Sequence, residues 1–264
     1  MPRGHRIASV LTVIVVLATI VAGVRAGDDV DAGLRAAAFT ADVTPALNEP
    51  IGLGFIAFAK TIEHPLLAKG VTQIYFTGCG GDVAMGKYND GTPKARQALT
   101  DRLHDAMQRS IADVRTEPIS NVRWEQAGIA FVKRRDPEFQ RPSNVAMLAN
   151  ARATPIQRLK AGINLAWIKR GATRPPIEMS CLTIDGVRIL HLPGEPFVQY
   201  QLAAQKMQRD AFVVVAGYGD CGMGYIGGDR IFTDRGGYEQ TYSFAGPSQG
   251  VMLETMERLL EGAD

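Results

Sequence analysis

Apolar positions recur along this chain with three spacings, and each spacing predicts a different kind of element. After Thr92 and Pro93, apolar residues return at Ala95, Ala98, Leu99, Leu103, Ala106, Met107, Ile111 and Val114. That is one face of a helix, with Thr92 as cap and proline in the first helical position. A second helical pattern covers about Pro155 to Lys169, with Leu159, Ile163, Ala166 and Trp167 on one face. Asn121 to Val132 reads as extended, and the following "KRRDPEFQRPSN" as a charged, proline-bearing loop. Ile177 to Ile184 and Val187 to Leu192 are strands flanking Asp185-Gly186, a hairpin turn signal. Pro196 to Met207 is helical in pattern, and "AFVVVAGYG" is the unbroken apolar run of a strand buried on both faces. "GPSQGVMLETMERLLEG" closes the chain as a helix stopped at Gly262.

Strand, helix and strand in this order predict a crossover connection. The expected class is therefore α/β, a single domain with a mixed sheet and crossover helices. Three glycine-rich loops, "TGCGGDVAMG", "LPGEP" and "GYGDCGMGYIGG", each follow a strand. They should gather on one edge of the sheet, where open α/β folds hold ligands.

The third spacing is continuous. Arg3, His5 and Arg6 precede "IASVLTVIVVLATIVAGV", eighteen apolar-rich residues from Ile7 to Val24, and a small-residue cleavage pattern ends at Ala26. That order is a secretory signal over residues 1–26, leaving 27–264 as the mature protein, secreted or periplasmic. The run also meets the lower length of a bilayer span, so a retained anchor is the alternative. With 264 residues the chain can bury a core without staples, and a net charge of +2 gives no footprint for nucleic acid. In an oxidising space Cys79, Cys181 and Cys221 allow one disulfide. Cys79 and Cys221 are the preferred pair because both sit in glycine-rich loops; the alternative is three small buried hydrophobes.

Candidate chemistry starts in the first glycine-rich loop. Gly81 to Lys87 has the spacing of a phosphate-binding P-loop, but Tyr88 stands where Ser or Thr must bind magnesium, and the helix starts only near Thr92. A nucleotide site is excluded on those grounds. Glu195, between a strand end and a helix start, is the best single candidate. The helix dipole should favour its anion and free it for a metal, whereas the bland reading makes it a capping carboxylate. His5, His64, His104 and His191 form no H-x-H or H-E-x-x-H pair, and no G-x-S-x-G elbow supports a serine hydrolase.

Taken in order, "FTADVTPALNEPIGLGF", "HPLLAKG", "GCGGDVAMGKYNDG", "LPGEPFVQYQLA" and "GYIGG…GGYEQTY" resemble segments of the neutral/alkaline, non-lysosomal ceramidase family, in patches from Ala37 to Gly262. Such enzymes are zinc amidohydrolases of sphingolipid metabolism that cleave the amide of N-acylsphingosine. The resemblance implies Glu195 and Tyr225 as ligands of Zn²⁺. It implies Tyr242, or Tyr238 in competition with it, as the tyrosine that polarises the amide carbonyl. Gly81, Asp82 and Ala84 fall in the substrate loop, with Ala84 where the family has serine. A ceramide-type lipid and contact with a membrane surface are implied as partners. Between Gly70 and Val71 the family carries a long segment with the paired histidines, an arginine and a further zinc histidine; here "LLAKG" runs straight into "VTQIYF". The expectation is therefore a truncated ceramidase-like domain, secreted, with impaired or absent hydrolysis. A non-catalytic relative that binds a lipid or partner is the alternative.

Overall fold

The reversal at Asp185-Gly186 organises the sheet. Asp185 takes a left-handed φ of 46°, and its carboxylate accepts the Asn121 N–H at 2.9 Å. Its own N–H returns a bond to the Asn121 carbonyl. One turn thus pins the start of a neighbouring strand as well as its own hairpin.

The computed structural model describes residues 14–18, 35–36, 72–83, 90–112, 114, 117–173, 176–219, 223–233 and 237–262. The cleavage pattern at Ala26, the D-V-T-P segment, His5, His64, the Gly70/Val71 junction, Ala84 and Cys221 lie outside the described residues. The chain sorts into two compact units: Met1–Phe76 with Ala84–Ser120, and Thr77–Val83 with Asn121–Asp264.

In the first unit, β1 (Ile14–Ala18) pairs antiparallel with β3 (Thr72–Phe76), and β2 (Arg35–Ala36) with β4 (Glu117–Pro118). Of the signal-like apolar run, the structure describes only this β1 segment. Helix α1 (Pro93–Ala112) starts where its sequence predicts. Thr92 Oγ accepts the Ala95 N–H and donates to Asp90, which holds the Asp90 carboxyl below its usual range.

In the second unit, β5 (Val122–Ile129), β6 (Ile177–Ile184), β7 (Val187–Pro193) and β9 (Phe212–Gly219) form a mixed sheet in the order β5-β6-β7-β9. The first two pairings are antiparallel and the last is parallel, with α4 (Val198–Met207) making the crossover. This is the expected α/β class. Val213 to Ala216 are all buried, as the unbroken apolar run of β9 requires. Helix α5 (Gln249–Glu261) covers the sheet with Met252, Met256, Leu259 and Leu260, and Gly262 ends it at φ 83°.

Two readings of the middle segment are corrected. The "KRRDPEFQRPSN" stretch is not a plain loop: it contains a 3₁₀ turn, Pro137–Phe139, and opens α2 (Arg141–Ala149). The Asn144 side chain donates to the carbonyls of Glu138 and Gln140, closing a turn that residue-type propensity alone disfavours. Helix α3 (Pro155–Thr173) forms as predicted, but only Trp167 of its predicted apolar face packs against the core. Leu159 is 57% exposed and Ile163 38%, while Ala161 and Asn164 are the buried positions.

A short parallel pair, β8 (Glu195–Pro196) and β10 (Tyr225–Ile226), lies beyond the carboxyl ends of β7 and β9. It rests on Gly224, whose φ is 70° and where an added Cβ would lie 2.0 Å from the Tyr242 carbonyl oxygen. We expect Gly224→Ala to lower unfolding free energy by more than ~1–2 kcal/mol, the left-handed cost alone. Gly162→Ala, mid-helix with open space around the new Cβ, should instead raise it by ~0.5–1 kcal/mol. Urea unfolding of both variants checks the opposite signs.

Candidate functional site

All three glycine-rich loops meet at the start of α4. The Gly81 N–H donates to the Pro196 carbonyl at 3.0 Å, and the Gly217 N–H to the Thr77 carbonyl at 2.8 Å. The Glu195 N–H donates to the Gly224 carbonyl and the Gly194 N–H to that of Gly219, each at 2.9 Å. At Gly81 a Cβ would sit 2.5 Å from the Glu195 carbonyl oxygen, so only glycine permits this approach.

Helix α4 lacks a cap of its own, because Phe197 occupies the N-cap position. The Asp82 carboxylate supplies it across the junction, accepting the Val198 N–H at 2.7 Å. Asp82 thus serves the helix. Glu195 lies outside the first turn and is not the cap, so the bland reading of this glutamate falls away.

The Glu195 carboxyl is half-buried and receives hydrogen bonds from the Tyr225 and Tyr218 hydroxyls. Burial pushes its pKa up, and the two tyrosine bonds offset only part of that. This corrects the expectation that the helix dipole sets its charge. Tyr225 stands directly beside Glu195 in the β8–β10 register, and its hydroxyl lies 3.2 Å from that of Tyr238. Each phenol has one proton, and either hydroxyl can be the donor in the tyrosine pair. Burial, then the neighbouring hydroxyl and the Glu195 charge, raise the Tyr225 pKa. Edge-to-face contacts continue the row, Phe197–Tyr225 at 6.5 Å, Tyr225–Tyr238 at 5.7 Å and Tyr238–Tyr242 at 6.4 Å.

Of the two competing tyrosines, Tyr238 reaches the hydroxyl network and is 60% exposed. Tyr242 is one ring further out, beneath Lys160. Tyr218 is the residue that sequence reading missed. It has a left-handed φ of 63°, and burial and the Glu195 charge push its hydroxyl up to about 12. The sequence offers only a tyrosine between two glycines at a strand end; the left-handed conformation, which non-glycine residues adopt at a cost, belongs to the structure.

Other candidates are placed elsewhere. His191 pairs with Ser180 and Ala216 inside the sheet and lies against Gly219, where an added Cβ would meet its Nε2 at 2.1 Å. His104 is on α1 beside Gln108 and Asp105. Cys79 and Cys181 are buried free thiols, and burial drives the Cys79 thiol up to about 12. For these two the small-hydrophobe reading applies. Among the described residues no group of three His, Cys, Asp or Glu gathers as a metal site, and no helix is long and apolar enough to cross a membrane.

No protein-family model and no curated protein matches the chain. Among solved structures it is similar to neutral ceramidase from Pseudomonas aeruginosa, at 13% identity and a TM-score of 0.39, covering 73% of this chain and 36% of that one. It is likewise similar to a ceramidase complexed with C2, at 12% identity and a TM-score of 0.38, covering 68% and 35%. The chain thus spans about a third of the length of these ceramidases.

Two expectations test the site. Asp82→Ala should cost ~1 kcal/mol in urea unfolding, the usual loss of a helix cap, while Asp82→Asn retains most of it. The raised Glu195 pKa sets the sign of the second. Its stability contribution is fully present below the unfolded pKa and is lost as pH rises through the folded one. Glu195→Gln should therefore melt higher than the parent at about pH 8, with the gap closing toward about pH 4.

Proposed function

We propose that this chain is a secreted, ceramidase-like protein whose zinc amidohydrolase site is incomplete, so that it binds a ceramide-type lipid with impaired hydrolysis. One observation carries the reading. Glu195, Tyr225 and Tyr238, to which the resemblance assigns metal binding and carbonyl polarisation, come together in one hydrogen-bonded row. They do so at the edge where glycine-rich loops converge.

Cleaving an unactivated amide at neutral pH needs a strong nucleophile and a donor for the developing oxyanion. Exposed Tyr238 suits the second role, because with Tyr225 donating to it its own proton is left for an oxyanion, and its ring is braced by Tyr242. A bound zinc would supply the first by acidifying a water. The described residues offer that metal two oxygen donors, and burial raises the pKa of both Tyr225 and Glu195, against the anionic forms that ligate zinc. Catalytic zinc takes three protein ligands beside its open position. The pair by itself does not fit, and no hydrolytic step is assigned through the metal.

A protein that keeps the lipid edge but not the ligand set should retain substrate without turning it over. Export follows from the three-part N-terminal pattern. A lipid ligand would bring the protein to a membrane surface.

The purified mature protein is expected to carry well under one zinc per chain by elemental analysis. It should retain a short-chain N-acylsphingosine saturably while releasing no fatty acid above a protein-free control. Stoichiometric zinc that is lost in Glu195→Ala, together with fatty-acid release, would replace this reading with an active amidohydrolase.

A further inference from the structure

The second unit holds another cavity, which shares no lining residue with the Glu195 row. It has a volume of about 470 Å³, within the range of small-molecule sites, and lies among residues 129–141, the C-terminal half of α3 and the start of β6. Its walls are apolar and aromatic: Phe131, Phe139, Trp167, Ile168, Ile177 and Phe244. Phe131 and Trp167 meet edge to face at 6.2 Å, and so do Phe139 and Phe244 at 6.3 Å, so the walls brace one another.

The charged residues lining this cavity are all cationic. Lys133, Arg134, Arg141 and Arg170 contribute to it, and no Asp or Glu does. Arg134 is already committed: it donates to Asp136 and to the carbonyls of Gln240 and Ser243, with its guanidinium 3.8 Å over the Phe139 ring. It forms part of the wall and adds positive potential. Lys133, Arg141 and Arg170 have no ion-pair partner among the described residues. The bias extends along the sequence, since Phe139 to Ile177 holds seven Lys or Arg and no acid. Cations lining a cavity without a facing carboxylate raise the local concentration of anions there.

Apolar walls and a cationic rim select different parts of one ligand. A neutral hydrocarbon would make no use of three unpaired cations. A small inorganic anion would leave the aromatic walls facing water. A carboxylate on a single hydrocarbon chain uses both, because guanidinium groups match carboxylate geometry bidentately and the chain is desolvated against the rings. We propose that this cavity is a binding site for a single-chain amphiphilic carboxylate of the fatty-acid class, with the head group held by Arg141 and Arg170. The site does not depend on whether the Glu195 edge hydrolyses anything.

Trp167 provides a reporter, because the chain has two tryptophans and the other, Trp124, is exposed on β5 away from the cavity. In full-length Trp124→Phe protein, dodecanoate below its micelle concentration should shift Trp167 emission saturably. Dodecanol should bind roughly tenfold more weakly, since it lacks the charge. The double variant Arg141→Gln, Arg170→Gln should weaken dodecanoate by about the same factor and leave dodecanol unchanged. Gly171 lines the cavity and has open space around an added Cβ, so Gly171→Phe should abolish both signals at an unchanged melting temperature. Equal affinity for dodecanol and dodecanoate, or full binding in Gly171→Phe, would overturn the assignment. So would a response confined to phosphatidylglycerol vesicles, which would make the basic segment a membrane contact instead.

Discussion

The hydrogen bond from the Val198 N–H to the Asp82 carboxylate is the constraint on which the site is built. Helix α4 begins without a capping side chain of its own, so its orphan N–H groups need an acceptor from elsewhere. The "CGGD" loop brings that acceptor, and its glycines let the backbone lie directly on the Glu195-Pro196 turn. The loop is fastened to the rest of α4 as well, through the Cys79 N–H and the Gln201 side chain. Because Asp82 serves the helix, Glu195 is left to face the tyrosines.

Once freed from capping, Glu195 is governed by its surroundings. Proximity to a helix N-terminus favours a carboxylate by a modest amount that falls off within the first turn. Partial burial among aromatic rings opposes the charge more strongly, and the proton-donating phenols recover only part of the loss. The surroundings thus raise the pKa of both Glu195 and Tyr225, against the anionic forms a metal would take. Each hydroxyl already has a partner, so a metal must displace these bonds and remove protons before it can bind. This is the physical basis for proposing weak zinc affinity at this edge.

Around α2 and α3 the same chain follows a different logic. Helix α3 exposes Leu159 and Ile163 of the apolar stripe its periodicity marks, while Trp167 packs inward and Asn164 is buried and donates to the Phe139 carbonyl. Periodicity identifies a face but says nothing about which side the rest of the molecule occupies. The space between α3 and the sheet is filled in part by Arg134 stacked on Phe139, with its charge met by Asp136 and two carbonyls. What remains open is the cation-lined cavity.

Local rules determined much of this protein. The Thr92-Pro93 start of α1, the Asp185-Gly186 hairpin, the buried run of β9 and the Gly262 stop of α5 all follow from residues adjacent in sequence, and the structure places them accordingly. The gathering of the glycine-rich loops was legible only in part: two of them follow β7 and β9 of one sheet, whereas the first follows β3, which pairs with β1 in another. Tertiary structure alone decided the identity of the α4 cap, because Asp82 and Val198 are 116 residues apart and no local pattern links them. It also decided that Tyr218 joins Glu195, that Tyr238 rather than Tyr242 reaches Tyr225, and that α3 leaves Leu159 and Ile163 exposed. Those outcomes depend on desolvation and on contacts between distant segments, which exist only after the chain has packed.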